Sequence, residues 1–184
     1  MCLGEKEDTI AIFALAPQPL LFKLGHLLCD QLNVRVFQCH REGDKWAWPD
    51  DDSSVDFVLH KTKSNSDTTI ALVIDLSAEV VDRRIESVLG EESSIYHLTI
   101  EEPNRVFVKN PEIQNCFIHA FREMMERIKN ENPSAQIIHL FPVMPASLAV
   151  RAGMDIMPKA DLPIKIYDQL AQENGFEETI TIGG

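Results

Sequence analysis

The stretch FALAPQPLLFKLG at residues 13–25 returns in altered form as FPVMPASLAVRAG at residues 141–153. Each stretch lies between two short apolar runs, which predicts a strand–turn–helix–strand unit in both places. This repeat predicts two related lobes about a pseudo-two-fold axis, with a cleft where the two turns meet. Four identical residues recur at an offset of 128 positions: Phe13 and Phe141, Pro17 and Pro145, Leu20 and Leu148, and Gly25 and Gly153.

Apolar runs that alternate with amphipathic segments predict an α/β fold. The longest helix is predicted to begin at Pro111, with Asn110 as its N-cap, and Gly90 is predicted to end the helix before it. This alternation favours helices packed on a mainly parallel sheet in the second lobe. The predicted order is strand 9–13, helix 17–29, strand 34–38, strands 55–60 and 69–76, helix 79–89, strand 96–100, helix 111–129, and the second repeat from residue 136 to 167.

The acidic, turn-forming segment 49–54 is the predicted boundary between a first lobe at 9–49 and a second lobe at 55–184. The second lobe contains two leading strands and two helices that have no counterpart in the first. We therefore expect the first lobe to be either a reduced copy or, preferably, part of a longer protein that continues upstream.

Composition limits the classes of partner. With 17 basic and 29 acidic side chains, the formal net charge of −12 opposes coating of duplex nucleic acid, which requires a broad cationic face. It does not oppose a small anionic ligand held by a few local donors. No apolar run is long enough to span a bilayer, the acidic N-terminus is not a signal peptide, and the four cysteines show no paired spacing. These features predict a cytoplasmic protein with reduced thiols.

Both repeat helices are predicted to begin at a proline that no Ser, Thr, Asp or Asn precedes, since the residues there are Ala16 and Met144. A helix start without a side-chain cap leaves its first N–H groups for water or for a ligand. Together with the helix dipole, these donors suit a phosphate or another anion. Water is the alternative partner for each start. Ser147 is predicted either to reach a ligand or to bond within its own first helical turn.

A polar and aromatic segment follows the predicted strand at 34–38. If the segment is extended, Trp46 and Trp48 point to the same face and, with Arg41, form a platform for a base and a phosphate. The alternative is that the two indoles cover exposed core where the lobes meet. Ser77, at the end of a strand, either binds a ligand or caps the next helix, and we expect the cap.

The sequence contains no Gly-rich phosphate loop, and its six histidines form no metal-ligand set, so it predicts no catalytic residue, metal or cofactor. Asp75 and His139 are the residues that an enzyme of this fold would use. The predicted ligand-binding residues are Leu15, Ala16, Pro17, Gln18, His40, Arg41, Trp46, Trp48, Ser77, Glu79, Met144, Pro145 and Ser147.

The first repeat, followed by His-Arg at 40–41 and Trp-Ala-Trp at 46–48, resembles the first signature of the SAVED domain. The segment HLFPVMPASLA at 139–149, followed by Ile-Tyr-Asp at 166–168, resembles its second signature. The resemblance covers nearly the whole chain. It implies two fused, CARF-like lobes of the Rossmann type, the first of them truncated, in a sensor domain of anti-phage systems of the CBASS and type III CRISPR kinds.

The same resemblance implies a ligand and a mode of action. The ligand would be a cyclic oligonucleotide second messenger, such as a cyclic tri- or tetra-adenylate. Its binding would drive self-association and activate an effector domain of the nuclease, TIR or protease type, fused upstream or separate, without catalysis by the sensor itself. Two alternatives remain open: an enzyme acting on nucleotides or sugar phosphates on a Rossmann-like fold, and an assembly module that has no ligand.

Overall fold

The computed structural model of the chain describes residues 9–29, 33–41, 43–170 and 175–183. Within these ranges helices are interspersed with strands, as the sequence predicts. None of the described helices combines the length and apolar content that crossing a bilayer requires. In chain order the elements are β1 Ile10–Ile12, α1 Gln18–Leu27, β2 Val34–Val36, β3 Phe57–Lys63, β4 Ile70–Asp75, α2 Asp82–Leu89, β5 Ser94–Ile100, α3 Pro111–Glu131, β6 Ile138–Val143, α4 Ala146–Asp155, β7 Ile164–Gln169 and β8 Phe176–Ile182.

The strands form two separate sheets. β1 and β2 pair in parallel as a two-stranded sheet, and the others form a six-stranded sheet in the order β3-β5-β4-β6-β7-β8. The four central strands of the larger sheet are parallel, and its two edge strands are antiparallel to their neighbours. The mixed α/β architecture and the mainly parallel sheet are therefore confirmed, whereas the division into lobes at 9–49 and 55–184 stays a prediction.

The core of the larger sheet lies around β4, whose six residues are all buried. Such a continuous apolar run is typical of a parallel strand covered on both faces. α2 packs on one face, and α3 packs on the other. The Asn110 side chain caps α3 as predicted, since its oxygen accepts a hydrogen bond of 3.0 Å from Ile113 N. The apolar residues of α3 that recur at helical spacing are all buried: Ile113, Phe117, Ala120, Phe121, Met124 and Ile128.

α1 and α4 cross in direct backbone contact at the two glycines of the repeat. A Cβ atom added to Gly25 would lie 2.0 Å from the carbonyl oxygen of Val150, and one added to Gly153 would lie 2.2 Å from that of Phe22. The two carbonyls are themselves 128 positions apart, so the contact is reciprocal. Only glycine permits so close an approach of two helices.

Two segments differ from the prediction. α2 begins at Asp82 rather than at residue 79, with the extended Val81 as its N-cap, because Val80 is buried in the core before the helix can start. The predicted linker at 49–54 is held in place by contacts with residues 109 and 110. Lys109 forms an ion pair of 2.9 Å with Asp51, and the side chain of Asn110 donates to the carbonyls of Asp51 and Ser53.

Candidate functional site

The N-termini of α1 and α4 lie side by side, and one hydrogen bond joins them while a second joins the start of α4 to the segment after β2. Gln18 Nε2 donates to the carbonyl oxygen of Met144 at 2.7 Å, and Ser147 N donates to Gln38 Oε1 at 3.3 Å. Each bond links a residue before position 50 to one after position 140. The structure therefore brings three predicted site residues together and adds Gln38, which sequence reasoning missed.

The two helix starts have nearly the same backbone. Pro17 and Pro145 are the N-caps, with φ and ψ of −52° and 145° and of −59° and 142°, and neither supplies a side-chain cap, as predicted. Their donors differ, however. Pro19 has no N–H group at the position that corresponds to Ser147, so α4 presents more donors to its N-terminal end than α1 does.

Two buried polar atoms at these helix starts have no hydrogen-bond partner among the described residues. They are Gln18 Oε1 and Ser147 Oγ, and the Ser147 side chain is only 2% exposed. Ser147 therefore does not bond within its own helical turn. A buried polar atom without a partner typically costs about 1–3 kcal/mol, so its retention calls for a ligand or a bound water.

A cavity of about 560 Å³ lies beside the segment that follows β2. Its walls come from residues 38–41 and 43–51 and from the loop 105–109, which follows β5. The volume falls within the range of small-molecule sites, roughly 300–1,000 Å³. Gln38 lines this cavity and also accepts the hydrogen bond from Ser147 N, so one side chain links the cavity to the start of α4.

Of the four residues predicted around the aromatic platform, His40, Arg41 and Trp48 line the cavity, and Trp46 is not among its lining residues. Residues 45–46 form a turn rather than an extended strand, so the two indoles contact different rings. Trp46 lies edge-on to Phe13 with centroids 5.3 Å apart. Trp48 packs against the core and against His40, so it both covers core and lines the cavity.

Charge is distributed unevenly around the cavity. Hydrogen bonds from Ser53 and Lys109 lower the pKa of Asp51 to about 2, so its carboxylate is ionised and is satisfied by the ion pair with Lys109. Burial lowers the pKa of His40, so its imidazole is neutral at neutral pH. His40 Nε2 is buried and has no hydrogen-bond partner in the described ranges.

The remaining predicted residues lie at the rim or at a strand end. Leu15 and Ala16 are exposed in the turn before α1, and Glu79 is exposed before α2. Ser77 N donates to Val143 O at 2.8 Å, where β4 and β6 end together. The prediction that Ser77 caps α2 is wrong, because the chain stays irregular as far as the N-cap Val81.

Asp75 and His139 do not form an acid–base pair. In the β4–β6 register they lie four positions apart, which is about 13 Å. His139 bonds instead to the Tyr167 hydroxyl at 2.8 Å. Asp75 lies 3.3 Å from Nδ1 of the buried His97, whose Nε2 lies 2.9 Å from Asp82. Burial lowers the pKa of His97, but hydrogen bonds and charges from both carboxylates outweigh it, so that pKa is raised.

No cluster of three or more metal-ligating side chains occurs in the part of the chain that the structure describes. The site therefore consists of two adjacent helix starts, two buried oxygens without a partner and, linked to them through Gln38, a cavity with cationic and aromatic lining residues.

Comparison with solved structures identifies the fold. The chain is similar to the Acinetobacter baumannii Cap4 SAVED/CARF-domain containing receptor with the cyclic trinucleotide 2'3'3'-cAAA, at a TM-score of 0.69 and 17% identity over 96% of this chain. The same receptor with 3'3'3'-cAAA gives a TM-score of 0.66 at 17% identity over 96% of this chain. A further structure of this receptor gives a TM-score of 0.68 at 18% identity over 96% of this chain. The chain spans 38%, 38% and 36% of the length of these three receptor chains.

No curated protein matches the chain. A family model does match, that of the SMODS-associated and fused to various effectors sensor domain, and it covers residues 3–182. The resemblance carried by the two sequence signatures is confirmed, and the chain belongs to the SAVED family of sensor domains.

Proposed function

We propose that this chain senses a cyclic oligonucleotide second messenger, of the size of a cyclic tri- or tetra-adenylate, in the cleft between the starts of α1 and α4. The family is one of sensor domains, and two of the similar structures are receptors with cyclic trinucleotides. At 17% identity these receptors share the fold with the chain. The support for the ligand class therefore has to come from the site itself.

The observation that carries the proposal is the buried, partnerless Ser147 hydroxyl at a helix start whose N-cap residue, Pro145, supplies no side-chain cap. A helix N-terminus favours a negative charge and offers N–H donors to it, and a hydroxyl beside them is a further donor. A phosphate at this position accepts from the Ser147 hydroxyl and competes with Gln38 Oε1 for Ser147 N. A ring of phosphates and bases also suits a cleft bordered by a second helix start and by a cavity of nucleotide size.

Each predicted residue has a role in this arrangement. Arg41 pairs with a phosphate, and Trp48 stacks on a base. Gln18 and Ser147 offer polar atoms from the two helix starts. Trp46 packs against Phe13 and supports this segment without touching the ring. The other predicted ligand-binding residues border the ring: Leu15, Ala16, Pro17, His40, Ser77, Glu79, Met144 and Pro145.

The sensor works by association rather than by turnover. The ligand lies where α1 and α4 meet, so it sets the angle between the two halves and the match between unlike surfaces of neighbouring copies. A front-to-back contact of that kind is heterologous and builds rings or filaments. The ligand must bind the assembly-competent state more tightly for this to occur. The effector, of nuclease, TIR or protease type in an anti-phage system, responds to that assembly.

Titration calorimetry with synthetic cyclic di-, tri- and tetra-adenylates of mixed linkage tests the ligand. We expect saturable heat and a rise in melting temperature with at least one of them. Absence of both effects with every ring would refute the adenylate proposal. The mechanism is tested on one sample, in which light scattering measures the size of the protein and chromatography shows whether the ligand stays intact. Linear products of the ligand beside a monomeric protein would mean that the chain is an enzyme.

The Ser147→Ala variant gives a more specific test, because the stability of the free protein should rise while the affinity for the ligand should fall. It removes a buried oxygen that lacks a partner, so the free protein should become more stable. It also removes a donor to the phosphate, so affinity for the ring that binds should fall by about 1 kcal/mol. Ser64→Ala, at an exposed position after β3 where the hydroxyl bonds to no described residue, is the matched control and should change neither.

A further inference from the structure

The cavity carries three cationic side chains, of which one is already paired. Lys109 is neutralised by Asp51, whereas Arg41 and Arg105 make no hydrogen bond, ion pair or ring contact with any described residue. Both are exposed, and they come from the two separate segments that line the cavity. In a chain with 29 acidic residues, two guanidinium groups that face one cavity without a carboxylate partner are free to receive an anion from outside.

Arg105 is held in place by the turn that carries it. Asn104 N donates to the carbonyl oxygen of Leu76 at 2.9 Å, which fixes the loop to the end of β4. Asn104 also bonds through its side chain to Val106 N at 3.0 Å and to Glu102 O at 2.8 Å. The loop is thus shaped by three bonds from one residue, so Arg105 projects from a fixed turn rather than from a slack loop.

The cavity also offers groups suited to a base. Trp48 presents an indole, and the neutral His40 beside it, with ring centroids 5.6 Å apart, has a ring nitrogen without a partner. An indole face stacks on any base, and a neutral imidazole nitrogen can bond to a base edge. Anion and base groups therefore line the same space.

We propose that the cavity holds one nucleotide of the ligand, with its phosphate between Arg41 and Arg105 and its base against Trp48 and His40. This inference rests on the proposed function and adds a requirement to it. Since Gln38 connects the cavity to the start of α4, a second phosphate lies at Ser147. The domain therefore requires a ligand with at least two phosphates, and a mononucleotide fills only the cavity.

The chain has two tryptophans, which makes the cavity directly observable. Adenosine monophosphate is titrated into protein labelled with ¹⁵N at the indoles, and the two indole N–H resonances are followed by NMR. We expect a saturable shift of the Trp48 resonance. The Trp46 resonance, from a side chain that is not part of the cavity lining, should stay in place and report that the fold is intact.

Arg105→Gln and Arg41→Gln should each weaken the adenosine monophosphate shift and the binding of a synthetic cyclic tri-adenylate by about tenfold or more. The double variant should lose less than the product of the two, because both guanidiniums contact one phosphate. Arg83→Gln, at an exposed position on α2, is the matched control and should bind both probes as the wild type does.

The two probes separate this inference from the proposed function. If cyclic tri-adenylate binds equally well to wild type and Arg105→Gln, or if adenosine monophosphate never moves the Trp48 resonance, the cavity assignment is wrong and the sensor proposal stands. If adenosine monophosphate shows the Arg105-dependent shift and no cyclic ring binds, the cavity assignment stands and the sensor proposal is wrong.

Discussion

A Gly153→Ala substitution places a methyl group where α4 touches α1. The new Cβ would lie 2.2 Å from the carbonyl oxygen of Phe22, whereas ordinary contacts of a Cβ atom begin at 3.4 Å. The obstructing atoms belong to backbone, so no side-chain rotation relieves the clash, and the two helices must separate by on the order of 1 Å. Leu21 and Phe22, which are buried between α1 and the sheet, lose packing as a result.

The expected magnitude follows from two opposing terms. Overpacking in a well-packed core costs roughly 1–3 kcal/mol, and a backbone clash lies at the upper end of that range. Alanine gains about 1 kcal/mol over glycine in a helix interior. The net loss is about 2 kcal/mol in the free energy of unfolding, or about 4–8 °C in melting temperature for a chain of this size.

Urea and thermal unfolding followed by circular dichroism measure the effect. Gly25→Ala should cost as much, since its Cβ would lie 2.0 Å from Val150 O. The double variant should cost less than the sum, because helices that one methyl group has already separated admit the second more easily. Lys23→Ala, at an exposed position on α1, is the control and should stay within about 0.5 kcal/mol of wild type. A glycine variant that is more stable than wild type would refute the close contact.

Three further predictions concern the cleft and its surroundings. Gln38→Met keeps the side-chain volume but removes the oxygen that accepts the hydrogen bond from Ser147 N, so the melting temperature of the free protein should fall. Its affinity for cyclic adenylate, measured by calorimetry, should rise because the ligand no longer competes with that oxygen for Ser147 N. The pKa of His97 is raised in the folded protein, so the stability that its charge provides is complete below about pH 6.5 and is lost as the pH rises through the folded-state pKa. The difference in free energy of unfolding between wild type and His97→Gln, measured by urea titration, should therefore shrink as the pH rises. Trp46→Ala should lower stability by about 1 kcal/mol and leave ligand affinity unchanged, whereas Trp48→Ala should weaken binding.

Local signals in the sequence predicted most of the elements. The long α3 has a cap, an N-terminal proline and a helical apolar spacing in one place, so three independent signals agree. The start of α2 was mispredicted because Ser77 has the chemistry of a cap, and only packing shows that Val80 is buried first. β8 was missed, although the alternation around Ile180 and Ile182 is a strand signal.

The candidate site was only partly predictable because much of it is assembled from distant parts of the chain. The repeat of residues 13–25 at 141–153 predicted both helix starts, because it is visible in the sequence itself. The acceptor for Ser147 N is Gln38, which lies 109 positions away and belongs to no motif. Arg105 is likewise an ordinary loop residue until a turn fixed by Asn104 places it at the cavity that Arg41 also lines.

The side-chain amide of Asn110 connects the cavity wall to the longest described helix through hydrogen bonds. Its oxygen caps α3, and its nitrogen binds the carbonyls of Asp51 and Ser53, while Asp51 itself lines the cavity. α3 has 21 residues and is therefore a rod about 31 Å long. A ligand that draws the cavity wall inward must break the hydrogen bonds of Asn110 or tilt α3. A tilt of α3 carries a small displacement at the cavity to the C-terminal end of the helix, where Tyr96 bonds to Glu131.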